Sequence, residues 1–240
     1  MEDKKMPLEQ EPRLSVIGKW LDNLWYHYKF QIIAGAVLLF TVVISTAQLV
    51  SKEENDYLLL YAGPRNIAVQ DLAYMERAVE AVADDYNKDG TVSVAIDDVV
   101  MLSPEEQKAA MDAGIAVNGE FLNNTMDNFY QQIIGGDAVI CLLSPYMYSF
   151  VYDAGGFLPL AEIFTEIPEG AIDDCGILLC ETDFGSCFNG MDDLPKDTVL
   201  CIRRLSTMAK FKGEAKTRAA HEANIELFRR IVEYKAPVTE

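Results

Sequence analysis

No Asp, Glu, Lys or Arg occurs between Phe30 and Ser51. As a helix that run would be about 33 Å long, enough to cross a hydrocarbon core of about 30 Å. The chemistry of catalysis is also sparse. Only two histidines are present, His27 and His221, and neither belongs to an HExxH, a GxSxG or a recognisable triad. The acidic pairs Asp97/Asp98, Asp173/Asp174 and Asp192/Asp193 are adjacent in sequence, so in extended chain they point apart and cannot share a proton. No enzymatic activity is expected. Basic residues are scarce, 20 against 38 acidic, for a net charge of −18. Such a field repels phosphates and argues against nucleic acid and against anionic lipid surfaces. No cysteine precedes Cys141, which excludes a lipid-modified N-terminal cysteine. The five that follow (Cys141, Cys175, Cys180, Cys187 and Cys201) contain no CxxC, so zinc-type spacing is absent. Their odd number leaves at least one thiol unpaired within the chain. Cys141 and Cys201 lie in apolar runs, where cysteine serves as a small core residue.

What is there divides the chain in three. Residues 30–51 read as a transmembrane helix, preceded by Trp20, Trp25, Tyr26 and Tyr28 at the position of an interfacial aromatic belt. Lys4, Lys5, Arg13, Lys19 and Lys29 lie before the span, whereas Lys52 is followed at once by Glu53, Glu54 and Asp56. That bias places residues 1–29 in the cytoplasm, as a polar tail and interfacial segment, and residues 52–240 outside the cell. A buried core helix is the first competing reading, and its weakness is the length of the uncharged run. A cleaved signal peptide is the second, with Ser45-Thr46-Ala47 at cleavage spacing, but the long segment before the run does not suit it. The outer segment carries the whole net charge and is long enough for one α/β domain with a proper core.

Within that domain the pattern alternates between strand and helix. Residues 57–62 are an apolar run closed by Gly63-Pro64, residues 67–86 repeat at helical spacing, and residues 91–96 alternate with β-branched side chains. Strand, helix and strand over that length make a βαβ unit, hence a mainly parallel, doubly wound sheet. Ser103-Pro104-Glu105-Glu106 is a capping box opening a helix over 103–113. A further helix carries Leu122, Met126, Phe129 and Ile133 on one face and ends at Gly135-Gly136. Residues 137–143 predict a third strand, and Ser144-Pro145 a short helical turn. Residues 176–180 and 198–202 are two more strand candidates, and a long helix over 213–234 closes the chain.

The corner Gly135-Gly136-Asp137-Ala138-Val139, together with Gly156-Phe157-Leu158-Pro159-Leu160, resembles extracellular solute-binding proteins of the type 2 periplasmic-binding fold. Ala138 stands near the place where that family has proline and aspartate. The resemblance covers residues 57–180 and implies one lobe of a protein that normally has two. The segment Leu24-Trp25-Tyr26-His27-Tyr28-Lys29 is similar to short membrane-anchored relatives found in Firmicutes.

Two candidate sites follow. Asp85, Asn87 and Asp89, with Gly90 at the turn, match the first positions of an EF-hand or dockerin calcium loop, but the twelfth position is Ile96 rather than a carboxylate. A turn from helix into strand explains the same residues. The second site lies at the carboxyl ends of strands, where open α/β sheets hold ligands. It comprises Tyr61, Arg65 and Asn66 after the first strand, and Ser144, Tyr146, Tyr148 and Asp153 in an unusually aromatic segment after the third. Tyrosines stack on sugars and peptides while their hydroxyls hydrogen-bond, so a small polar solute is the expected ligand. The alternatives are that these aromatics cover the core, or that the same surface docks a partner membrane protein.

Overall fold

The computed structural model describes residues 13–50, 55–207 and 209–237. The chain divides into two units, Met1–Glu54 and Asn55–Glu240. The described part of the first is a single helix, α1 (Arg13–Val50). It takes in residues 13–29, expected as tail and interface, because no proline follows Pro12 to break it. Residues 1–12 lie outside the described residues. Within α1, Leu24–Ser45 is apolar enough to cross a membrane, with a mean hydropathy of 1.8 and none of the window buried. Leu38 and Phe40 are each 67% exposed. A helix that is apolar on all sides and shields none of them is compatible with a membrane anchor or a signal peptide.

The second unit is a mixed α/β domain around a five-stranded sheet. Its elements are β1 (Tyr57–Gly63), α2 (Val69–Glu80), β2 (Val94–Val100), α3 (Pro104–Asp112), α4 (Gly119–Gly135), β3 (Ile140–Leu143), α5 (Pro145–Asp153), β4 (Gly176–Leu178), α6 (Asp183–Cys187), β5 (Val199–Ile202), α7 (Ala209–Lys212) and α8 (Glu214–Glu233). The strand order is β2-β1-β3-β5-β4. β1 pairs in parallel with β2 and with β3, whereas β5 runs antiparallel to both β3 and β4. Four strands therefore share one direction and only β5 opposes them, which refines the expected mainly parallel sheet.

The two faces of the sheet bury separate cores, as the alternation of side chains along a strand requires. Tyr57, Leu59 and Tyr61 of β1, with Ile140 and Leu142 of β3, pack against Met75 and Val79 of α2 and Leu227, Phe228 and Ile231 of α8. Leu60 and Ala62, with Cys141 and Leu143, face Phe129 of α4 and Met147, Tyr148 and Val151 of α5. Helices thus cover both faces, and the central strands β1 and β3 read as unbroken apolar runs because neither face meets water.

Several local expectations shift. β2 begins at Val94 and runs to Val100, so Asp97 and Asp98 lie inside the strand. As an edge strand it can carry them: Gln132 Nε2 donates to Asp97 Oδ2 at 2.9 Å and the Ile67 amide donates to Asp98 Oδ2 at 3.2 Å. Burial pushes both carboxyls above their ordinary range. α2 stops at Glu80, six residues short of the apolar spacing, because Asp56 takes the loop that follows, accepting from the Asn87 and Ser93 amides at 2.8 and 2.9 Å. The segment after Ser144 is a nine-residue helix rather than a single turn. At the C-terminus of α4 the buried Arg203 guanidinium donates to the Gln132 and Gly136 carbonyls, each at 2.8 Å, and to that of Ile133. A cation on those orphan carbonyls complements the helix dipole.

Candidate functional site

The chain leaves β1 outward to β2 through α2, then returns past β1 to β3 through α3 and α4. The reversal makes β1 and β3 a topological switch point, and a crevice is expected beyond their carboxyl ends. Backbone bonds stitch that end together: the Ser144 amide donates to Ala62 O and the Met101 amide to Gly63 O, each at 2.8 Å. Ser144 is the N-cap of α5, its Oγ accepting from the Met147 amide at 3.4 Å. Its hydroxyl is therefore committed to the helix start, as expected for serine ahead of Pro145.

Tyr61 lies in this end of the sheet, but its ring is wholly buried. The ring folds back over Gly63, where a Cβ would sit 2.6 Å from the tyrosine hydroxyl. Its Oη has no hydrogen-bond partner, nor has Oδ1 of Asp98, the residue opposite Tyr61 in the β1–β2 register. The Arg65 backbone N–H acts on Oη without reaching hydrogen-bond geometry, and burial pushes the phenol up to about 12. Arg65 itself is fastened, donating to the Asp193 carbonyl and pairing with Asp71 at 3.5 Å. Asn66 is exposed on the same loop.

The aromatic segment divides by helical geometry. Tyr148 faces the core, stacked on Phe157 with centroids 5.0 Å apart and an interplanar angle of 7°. Its hydroxyl donates to Asp173 Oδ1 at 2.7 Å, and the same oxygen accepts from the Cys175 and Gly176 amides at 2.8 and 2.9 Å. Burial first, and Asp173 second, push this phenol far above its ordinary range. Tyr146 and Phe150 lie on the outer side as an edge-to-face pair 5.0 Å apart, Tyr146 half-buried and Phe150 exposed. Tyr152 donates from its hydroxyl to Asp174 at 2.9 Å. Asp153 is exposed at the last turn of α5, the opposite end from Ser144. The structure thus brings Tyr61, Arg65, Asn66 and Ser144 to one end of the sheet, builds Tyr148 into the core, and carries Asp153 away from the strand ends.

In the 85–91 loop the acidic oxygens are occupied by backbone donors. Asp85 Oδ2 accepts from the Gly90 amide at 2.9 Å and Oδ1 from the Asp89 amide at 3.2 Å. Asn87 Oδ1 accepts from the Asp89 amide at 2.8 Å, and Asp89 Oδ1 from the Thr91 amide at 2.9 Å. Hydrogen bonds from Thr91 hold the Asp89 carboxyl below its usual range. Among the described residues no group of three or more His, Cys, Asp or Glu is arranged to hold a metal ion. The geometry is that of a side-chain-stitched turn, with Gly90 at φ 97°.

Compared with known proteins, the chain matches no family model, no curated protein and no solved structure.

Three features of the domain carry no local signal in sequence. Asp173, the partner of Tyr148, is 25 residues distant from it. The unpartnered oxygens, Tyr61 Oη and Asp98 Oδ1, come to one end of the sheet only through strand register. A cavity of about 640 Å³ opens at the C-terminal end of α4, lined among others by Asp127, Tyr130, Gln131 and Ile134. All five cysteines are free thiols, with Cys141 and Cys201 buried as register partners on β3 and β5 and Cys187 exposed.

Proposed function

We propose that this chain is a membrane-anchored binding module: α1 holds it in the bilayer, and the domain stands outside the cell and takes a small polar solute at the carboxyl ends of β1 and β3. The observation that carries this reading is the switch point itself, where Arg65, Asn66 and the start of α5 converge on the end of a parallel pair of strands. Resemblance to one lobe of a solute-binding protein is consistent with it. A single lobe encloses a solute on one side only, so weak binding is expected. The test is a thermal-shift screen of sugars, oligosaccharides, peptides and amino acids on the 240-residue chain in detergent micelles. A ligand at about 100 times its Kd stabilises by about 2.7 kcal/mol, which a melting curve resolves. Asn66→Ala should remove the shift without lowering the melting temperature of the free protein, since Asn66 is exposed.

A second reading has its own observation. Two tyrosines on which a solute would stack, Tyr61 and Tyr148, are part of the core, and α5 instead presents Phe150 outward beside the half-buried Tyr146. An apolar ridge suits a partner membrane protein better than a solute. Under this reading the solute screen is blank, and in-cell crosslinking from position 150 captures a membrane protein.

A further inference from the structure

The sheet end described above contains a conflict that the fold does not resolve internally. Tyr61 is 0% exposed and its hydroxyl has no partner; beside it, Asp98 has one carboxylate oxygen bonded to the Ile67 amide and the other buried without a partner. Leaving a buried donor or acceptor unpaired costs about 1–3 kcal/mol, more for a charged group, so two such atoms at one end of the sheet are an unusual retention. Register partners in a parallel pair project to the same face, so the two oxygens belong to one small region. Its electrostatics have a definite sign. Of the charges, Asp98 acts most strongly on the Tyr61 hydroxyl, as a negative charge; the Arg65 guanidinium, paired with Asp71 at 3.5 Å, opposes it, and Glu106 adds a second negative charge. Glu106 is held by the Ser103 amide, which donates to it at 2.7 Å in the helix-capping arrangement, so it contributes charge without offering itself as the partner.

We propose that the Tyr61 hydroxyl and Asp98 Oδ1 are the receiving groups for a primary ammonium on the bound solute. An ammonium has three donors and no acceptor, so it satisfies both oxygens at once and neutralises the Asp98 charge. A neutral hydroxyl compound would leave the carboxylate uncompensated in its buried position, and an anion would be repelled. The domain as a whole favours the same choice, since it carries the chain's net charge of −18, which concentrates cations at its surface. Both oxygens are closed off from water, so a ligand reaches them only when the loop at 64–66 moves. Arg65, through Asp71 and the Asp193 carbonyl, is the catch that holds this loop down. The ring of Tyr61 remains a core element throughout; its hydroxyl is the part kept at the expense of stability, which is where binding sites commonly carry their strain.

This inference rests on the solute-binding reading, and its test separates the two. Putrescine, the quaternary ammonium choline and the neutral sugar glucose are titrated against the 240-residue chain in detergent micelles by calorimetry and thermal shift. Tyr61→Phe and Asp98→Asn are compared with the wild type. Putrescine is expected to bind, and choline, a cation without N–H donors on its nitrogen, is not. Tyr61→Phe should raise the melting temperature of the free protein, because it deletes an unpartnered hydroxyl, and should weaken putrescine about tenfold to a hundredfold. Asp98→Asn keeps an acceptor for the Ile67 amide and should weaken putrescine at least as much, since it removes the charge that the ammonium neutralises. A lower melting temperature for Tyr61→Phe would show the hydroxyl to be bonded in the free protein and would overturn the proposal. So would equal binding of putrescine and choline, or unaltered putrescine binding in both variants. Binding of glucose alone would overturn the ammonium assignment while leaving the solute-binding reading intact; a blank for every compound here and in the wider screen would remove both.

Discussion

Replacing Tyr148 decides whether the aromatic segment serves the core or a ligand. The ring is 6% exposed, stacked on Phe157 and packed between β3, β4 and α5, and its hydroxyl reaches Asp173 at 2.7 Å. Tyr148→Phe keeps the ring and removes one hydrogen bond to a carboxylate. Such bonds contribute about 1.5–3 kcal/mol, and because Asp173 Oδ1 retains the Cys175 and Gly176 amides the lower value applies, about 1.5 kcal/mol. Tyr148→Ala also empties the space against Phe157, at a cost of about 3–5 kcal/mol by analogy with buried aromatic truncations. For a domain of this size each kcal/mol moves the melting temperature by about 2–4 °C. The expected falls are therefore about 3–6 °C for Tyr148→Phe and about 6–20 °C for Tyr148→Ala, read by urea and thermal unfolding. Combining Tyr148→Phe with Asp173→Ala should give less than the sum of the two, since both remove the same bond. A Tyr148→Ala protein melting within about 1 °C of the wild type would refute the packing argument and return Tyr148 to the ligand surface.

Further expectations follow from the same geometry. Gly63→Ala puts a Cβ 2.6 Å from the Tyr61 hydroxyl and should destabilise by about 1–3 kcal/mol, measurable as a lower urea midpoint; Tyr61→Phe in the same chain should recover part of the loss. Tyr61 is pushed up to about 12 by burial and Tyr148 is raised further, whereas unfolded tyrosines ionise near about 10. The unfolded chain thus loses protons first, so this stability is complete below about pH 10 and falls as pH rises toward about 12; either Tyr→Phe substitution should flatten the alkaline limb. Millimolar calcium should leave the melting temperature unchanged, because the Asp85 and Asp89 carboxylates are engaged by backbone amides; a rise that Asp85→Ala with Asp89→Ala abolishes would restore the calcium reading.

How far the sequence led depends on the range of the forces involved. β1 and β3 were legible as apolar runs because both faces are covered, and α3 was legible from its capping box, whose Ser103 and Glu106 bonds both form. The true extent of β2 was hidden because Asp97 and Asp98 look unlike strand residues; their tolerance comes from an edge position and from donors on α4 and the loop before α2. The reversal of β5 has no local signature, since it is decided by which neighbour β3 lacks. For the site, the strand-end location of Tyr61, Arg65, Asn66 and Ser144 follows from βαβ logic alone. That Tyr148 turns inward and Phe150 outward depends on α5 being a full helix seated on β3, and on Asp173 arriving from a distant loop.

The claim on which the rest depends is that α1 anchors an exported domain, and a thiol on the domain tests it directly. Cys187 is exposed, whereas Cys141 and Cys201 are wholly buried. A membrane-impermeant maleimide added to intact cells should label the chain at Cys187, with the label reduced in Cys187→Ser and lost when the half-buried Cys180 is replaced by Ser as well, and the labelled chain should keep its full mass and stay with the membrane fraction. Labelling that requires permeabilised cells would place the domain in the cytoplasm and contradict the orientation; a labelled product that has lost α1 and left the membrane would show a cleaved signal in place of an anchor.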